Sequence, residues 1–307
     1  MSARVFIDGA VGTTGLEISE RLAGRREFAL VTLPEDRRKD DAARAEALNT
    51  ADFVILCLPD DAAKAAVGMI ENPNTRVIDA STAHRVAPDW TYGFPEVVGH
   101  QAVAAATRVS NPGCYPTGFI ALVAPLVRAG LLPADWPYIC HAVSGYSGGG
   151  KALIGRFEDD TDIAFRDYGL ALGHKHLAEM QALVGLTHAP LFAPAVIAAH
   201  RGMVTEVPLP LAAIPGAAAP DALREALAAA YAGSAVVAVR DETPDELLLR
   251  RSMAPTDRMD LYVFGAADGS QARLVAVLDN LGKGASGAAV QNLNIMAGLP
   301  ETAGLRL

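Results

Sequence analysis

Residues 4–16, Arg4-Val5-Phe6-Ile7-Asp8-Gly9-Ala10-Val11-Gly12-Thr13-Thr14-Gly15-Leu16, decide the fold. An apolar run of strand length leads into glycines spaced G-x-x-G-x-x-G, and Leu16, Ile18 and Leu22 then predict one face of a helix. Strand, glycine loop and helix make the opening of a dinucleotide-binding sheet. A Cβ on such a loop would block both the tight turn and the approach of a pyrophosphate to the backbone N–H groups of the helix start. Gly9, Gly12, Thr13, Thr14 and Gly15 are the candidate cofactor cradle.

Strands and helices keep alternating downstream. A strand at 28–33 stops at Pro34, a helix covers 41–48, a strand 52–58, a helix 60–71 and a strand 76–79. That alternation predicts a parallel, Rossmann-type sheet. The charged run after the second strand falls where an adenosine ribose binds. Glu35 or Asp36 would hold a 2′-hydroxyl, whereas Arg37, Arg38 or Lys39 would pair with a 2′-phosphate, and the basic residues favour NADP. Ser81 and Arg85 follow the strand at 76–79, on the side where open α/β sheets take ligands. Arg85 reads either as an anion holder or as a surface arginine.

Ser110-Asn111-Pro112-Gly113-Cys114-Tyr115-Pro116-Thr117-Gly118 marks the passage to a second domain. Phe119, Ile120, Val123, Leu126 and Val127 predict a helix, and Pro116 suits its first turn. Cys114 then stands where the positive end of a helix favours a thiolate. A small buried hydrophobe is the other reading of any cysteine, and it suits Cys57 and Cys140, which lie inside apolar strand-like runs.

Beyond residue 114 the pattern changes. A strand at 138–143 precedes Ser144-Gly145-Tyr146-Ser147-Gly148-Gly149-Gly150-Lys151. This run has P-loop spacing but lacks the hydroxyl at Ala152 that would ligate magnesium, so its N–H groups read instead as an oxyanion or phosphate cradle. His174 and His176 open a predicted helix on which they would not face one another, and no third ligand stands at metal spacing. A neutral imidazole beside a thiolate would serve as acid and base. Arg201 begins a strand at 202–208, a helix covers 220–232, and Asp268-Gly269 joins two apolar strands as a hairpin. Asn280, Gly284 and their neighbours open a last helix. The expected architecture is α/β: a Rossmann-type parallel domain at 1–113, rejoined by 281–307, and an α+β domain with a largely antiparallel sheet at 114–280.

At 307 residues two domains are the default, and no apolar run approaches the length of a membrane helix. Net charge −9 argues against nucleic acid. Three irregularly spaced cysteines and a start without a leader pattern point to a reducing, cytoplasmic setting and to no metal.

In order along the chain, FIDGAVGTTGLEI, IDASTAHR, SNPGCYPTG, SGYSGGGK, GHKHLAEM, HRGMVTEVPLPL and DNLGKGASGAAVQNLN resemble the short form of the N-acetyl-γ-glutamyl-phosphate reductases, in the aspartate-semialdehyde dehydrogenase superfamily. The resemblance implies NADPH-dependent reduction of an acyl phosphate to an aldehyde, with release of inorganic phosphate, through a thioester on Cys114. His176, or failing it His174, would be the acid/base. Arg85, Asn111 and the loop carrying Ser144, Gly145, Ser147 and Lys151 would hold phosphate. Arg201 would hold the substrate carboxylate, and Ser81, Asn280 and Gly284 would line the cofactor. A homodimer or homotetramer is expected. Longer members carry a histidine three residues after a phenylalanine, where this chain has Phe192 and then Ala195. Related readings are an aspartate-semialdehyde dehydrogenase, a reductase of a homologous acyl phosphate, or a nucleotide-sensing module without chemistry.

Overall fold

The computed structural model describes residues 2–307, and the chain divides into two units, Met1–Pro112 with Ala285–Leu305 and Gly113–Gly284 with Arg306–Leu307. In the first unit β1 (Ala3–Asp8), β2 (Phe28–Val31), β3 (Phe53–Leu56), β4 (Arg76–Asp79), β5 (Thr91–Tyr92) and β6 (Arg108–Ser110) form one sheet in the order β2-β1-β3-β4-β6-β5. All its pairings are parallel. Parallel neighbours need crossovers, which α1 (Thr13–Leu22), α2 (Asp41–Thr50), α3 (Asp60–Gly68), α4 (Pro95–Val98) and α5 (His100–Ala105) supply.

Period-2 alternation sorts the strand residues into two apolar layers. Val5, Ile7, Ile55 and Ile78 pack with Ile18 and Leu22 of α1 and with Val290 and Leu293 from the end of the chain. Phe6, Val54, Leu56 and Val77 pack on the other face with Ala47, Leu48, Ala63 and Ala66 of α2 and α3. Strand order reverses about β1, so the carboxyl ends of β1 and β3 form the switch point at which such sheets bind ligands. The Gly9–Gly15 loop leaves β1 there. One expectation fails: Leu16 is 46% exposed, while Gly15, Ile18, Arg21 and Leu22 are buried. Leu16 and Ile18 are two residues apart, about 200° around a helix, so they point to different sides.

The second unit carries β7 (Ile139–Gly145), β8 (Phe165–Asp167), β9 (Leu191–Ile197), β10 (Met203–Leu209), β11 (Val237–Val239), β12 (Met259–Gly265) and β13 (Ala272–Leu278), in the order β11-β12-β13-β10-β7-β9-β8. Four of the six neighbouring pairs are antiparallel; β7–β9 and β11–β12 are parallel. The hairpin predicted at Asp268-Gly269 closes the β12–β13 ladder, with Gly269 at φ 70°.

The helices here are α6 (Cys114–Arg128), α7 (Gly150–Asp159), α8 (Leu177–Val184) and α9 (Pro220–Ala230). From Tyr115 to Ala124 every residue of α6 is buried. It is therefore a core helix with no solvent face, and Gly118 lets it lie directly on Thr205 of β10. Sheet residues alternate accordingly: Met203, Thr205, Val207 and Leu209 of β10 are buried and Val204, Glu206 and Pro208 are not. Finally α10 (Gly287–Met296), with all ten residues buried, belongs to the first unit. Residues 281–284 stay with the second.

Candidate active site

Cys114 is the first residue of the fifteen-residue α6. Gly113, its N-cap, offers no side-chain acceptor, so the first-turn N–H groups and the positive helix end are presented beside the sulfur. Thr117 secures the turn, its hydroxyl and its N–H both donating to Gly113 O at 2.9 Å. The other thiols sit in strands or just beyond them. Burial, and then the charges of Asp79 and Asp8, push Cys57 up to about 12, and burial alone pushes Cys140 up. Only Cys114 stands at a helix start.

Beside Cys114, aromatic and imidazole rings gather about Tyr115. Tyr115 is buried, donates its hydroxyl to Ala195 O at 2.9 Å, and lies 6.0 Å from His176 and 6.4 Å from His174 between ring centroids. Thus Ala195 contributes its backbone oxygen. His174 also meets Tyr168 at 5.7 Å and Phe192 at 5.0 Å. Burial raises the phenol pKa of Tyr115, with Tyr168 and Cys114 adding to it as electrostatic neighbours; Tyr168 is raised too, burial first.

The histidine pair corrects the sequence reading. Both residues precede α8 rather than opening it, and His176 is its N-cap, so the two rings approach to 4.7 Å edge to face. Being two residues apart separates side chains on a helix, whereas a turn leaves them free to meet. His174 Nδ1 accepts the His176 N–H at 3.2 Å. Burial, and then Lys175, lower the His174 pKa and keep that ring neutral.

Glu179 was not singled out by the sequence. It is 1% exposed, and its Oε2 accepts the Gly113 N–H at 3.1 Å. The available signal was its spacing: three residues after His176 at a helix start, the interval of a capping box.

The closing segment supports the cysteine from another side. A Cβ on Gly284 would lie 3.0 Å from Cys114 Cβ and 3.1 Å from Asp279 O, so Gly284 presses against the cysteine itself. Fully buried Asp279 accepts Arg201 Nη1 at 2.7 Å, Thr256 N at 3.3 Å and Leu281 N at 2.9 Å, which aims the Arg201 fork. Asn280 is 1% exposed; it accepts Gly202 N and donates to Ser147 Oγ, both at 2.9 Å. Ser144 donates to Gly145 O, and Gly145 lies against the Arg201 backbone with no room for a Cβ. Lys151 is exposed at the second position of α7.

In the first unit Gly9 has φ +91°, and a Cβ there would overlap the Cys57 carbonyl. A Cβ on Gly15 would stand 2.5 Å from Gly9 O, while one on Gly12 would be in ordinary contact at 3.4 Å. Gly12 caps α1 without a side-chain acceptor, and Thr13 and Thr14, both half-buried, begin the helix. The loop thus reaches the start of α1 in a turn that only glycine allows at Gly9, with no cap side chain over the first helical N–H groups, an arrangement that could take a pyrophosphate. Asp8 beside it pairs with Arg44 at 2.9 Å, a partner sequence reasoning passed over. Arg37 and Arg38 are exposed, with Arg37 3.7 Å from Asp40.

At the end of β4, Asp79 accepts Ser81 N at 2.9 Å, Ser81 Oγ at 2.7 Å and His84 Nδ1 at 2.6 Å, and His84 stacks on Trp90 at 4.2 Å. Arg85 is buried, with Nε on Asn111 O at 3.0 Å and Nη2 on Ala80 O at 3.3 Å. Asn111 donates its N–H to Asp79 O and its amide to Ala285 O, and accepts from Asn292. These two residues brace the loops that end β4 and β6. Among the described residues no group of three His, Cys, Asp or Glu side chains has metal-site geometry, and no helix is long and apolar enough to cross a membrane.

Comparison with known proteins gives the family. Residues 4–105 match the semialdehyde dehydrogenase NAD binding domain and residues 114–280 the semialdehyde dehydrogenase dimerisation domain. The chain is 52% identical over 303 residues to an N-acetyl-γ-glutamyl-phosphate reductase of Burkholderia ambifaria, covering 96% of each protein. It is 49% identical over 308 residues to N-acetyl-γ-glutamyl-phosphate reductase 2 of Pseudomonas putida, covering 98% of each. Among solved structures, aspartate semialdehyde dehydrogenase II of Vibrio cholerae superposes with a TM-score of 0.70 at 15% identity, over 97% of this chain and 99% of that one, a likeness of fold.

Proposed function

Because the chain belongs to the semialdehyde dehydrogenase family, in the branch of the N-acetyl-γ-glutamyl-phosphate reductases, we propose that it reduces N-acetyl-L-glutamyl 5-phosphate to the 5-semialdehyde with NADPH, releasing phosphate, as a step of arginine biosynthesis. The observation that carries this reading is a single cysteine at the amino end of a buried helix, followed by Tyr115, whose ring meets those of His174 and His176.

Cys114, as thiolate, attacks the acyl carbon; the carbon–oxygen bond to phosphate breaks and a thioester forms. The N–H groups at the start of α6 stabilise the oxyanion of that step. NADPH supplies the hydride that takes the thioester to the aldehyde level. Collapse then releases the aldehyde and restores the Cys114 sulfur, with His176 taking the thiol proton at the outset and returning one later. His174 keeps its neighbour oriented through its Nδ1. Arg201, aimed by Asp279, takes the substrate carboxylate, and the 144–151 loop takes phosphate. Within the first unit the glycine loop holds the cofactor pyrophosphate, with Ser81 assigned to the same ligand and Arg37 and Arg38 to the 2′-phosphate.

The matched dimerisation domain carries the assembly. Its sheet presents Ile139 and Leu191 as register partners, about half exposed, on strands whose other residues are largely buried. A homodimer, or a homotetramer built from it, covers such residues, and the cytoplasm suits its three free thiols.

The test runs the reaction backwards, with NADP, phosphate and either N-acetylglutamate 5-semialdehyde, aspartate semialdehyde or the acetylated homologue one carbon longer. Reduced-nicotinamide absorbance should rise fastest with the first and vanish in Cys114→Ser, which should still bind NADPH. Preference for another aldehyde, or parental turnover in Cys114→Ser, would refute the assignment.

A further inference from the structure

Glu179 is a carboxylate with 1% exposure and an evident structural task, yet it sits within one residue of the nucleophile. It lies in the first turn of α8, whose N-cap is His176, and its oxygen accepts the N–H of Gly113, the N-cap of α6. One side chain therefore joins the starts of the two helices that carry the sulfur and the imidazole. A carboxylate is stabilised at such a place by two helix amino ends together. The same charge opposes full ionisation of a thiol next to it, because a like charge disfavours the thiolate.

We propose that Glu179 is a positioning residue: it fixes Cys114 against His176 and holds the resting thiol from ionising permanently, leaving its proton for the histidine to take. The idea rests on Cys114 as nucleophile. Burying a carboxylate is costly unless it is well paired, so a neutral residue would serve a purely structural tie better. Tyr115 and Tyr168 are electrostatic neighbours of the thiol, with His174 and His176 packed on the same rings and Lys175 exposed beside them, and the segment that presses on Cys114 through Gly284 brings buried Lys283 and the Asp279–Arg201 pair.

Two variants of the full chain test this. Glu179→Gln retains an oxygen for the Gly113 N–H and loses the charge; Glu179→Ala loses both. Alkylation of Cys114 by iodoacetamide is followed against pH by peptide mass spectrometry, with Cys57 and Cys140 as slow internal references. In Glu179→Gln the pH midpoint should fall by about 0.5 or more, since a neighbouring negative charge has gone. In Glu179→Ala the turnover of N-acetylglutamate 5-semialdehyde should drop about tenfold or more with KM within about twofold, as expected of misaligned reacting groups.

NADPH binding reports folding, and the isosteric Gln variant decides the matter if the Ala variant does not fold. An unchanged midpoint in Glu179→Gln overturns the proposal, as does a folded Glu179→Ala with parental turnover. Alkylation needs no substrate, so a wrong acyl phosphate would show as an inactive parent with the midpoint shift intact.

Discussion

Two glycines of the first loop, Gly12 and Gly15, should fail in opposite ways when given a methyl group. At Gly12 an added Cβ meets nothing nearer than Gly9 O at 3.4 Å, and φ is an ordinary −74°. Alanine costs the helix cap at most about 1 kcal/mol, and a loss of about 0.4–1 kcal/mol of unfolded-chain freedom offsets it. Thermal stability of Gly12→Ala should therefore stay within about 2 °C of the parent. On the proposed cradle, the methyl group nevertheless enters the space of the pyrophosphate. Losing one hydrogen bond to a charged oxygen there is worth about 1.5–3 kcal/mol, or about 10- to 150-fold in the Kd for NADPH.

At Gly15 the same atom would stand 2.5 Å from Gly9 O and 2.8 Å from Ala10 Cα, both backbone, so the loop itself must move. Overpacking of that kind costs about 1–3 kcal/mol, or roughly 2–12 °C in Tm, before any cofactor is added. Differential scanning fluorimetry without ligand and fluorescence titration with NADPH separate the two effects. A Gly12→Ala protein that binds NADPH within twofold of the parent would refute the assignment of the cradle; unchanged Tm in Gly15→Ala would refute the packing argument.

The lowered pKa of His174 sets a pH dependence. Its unfolded form takes up a proton near pH 6.5 and its folded form only at lower pH, so stability present above about 6.5 is lost as pH falls below it. His174→Gln should lose less Tm than the parent between pH 7.5 and 5.5, and equal losses would remove His174 as the source. Asp79, fully buried with three donors, should cost about 3–5 kcal/mol when replaced by Ala, read by urea unfolding. A cost below about 1 kcal/mol would mean that the cluster is solvated.

Short-range features were legible in the chain because they follow from backbone sterics and side-chain period. The strand, glycine loop and helix of residues 4–22, the alternation behind them, the hairpin at Asp268-Gly269 and the helix start at Cys114 all lie within a few residues of their own causes. Where pattern misled, as with Leu16, a helical face had been assigned to residues about 200° apart.

Tertiary structure alone decided what surrounds the sulfur. The meeting of His174 with His176 depends on a turn whose shape is set by packing on Tyr115 and Phe192. Glu179 reaches Gly113 across 66 residues, and Asp279 reaches Arg201 across 78. Contacts so distant in sequence carry no local signature: these two exist because burying α6 leaves the Gly113 N–H and the Asp279 carboxylate to be satisfied inside the fold rather than by water.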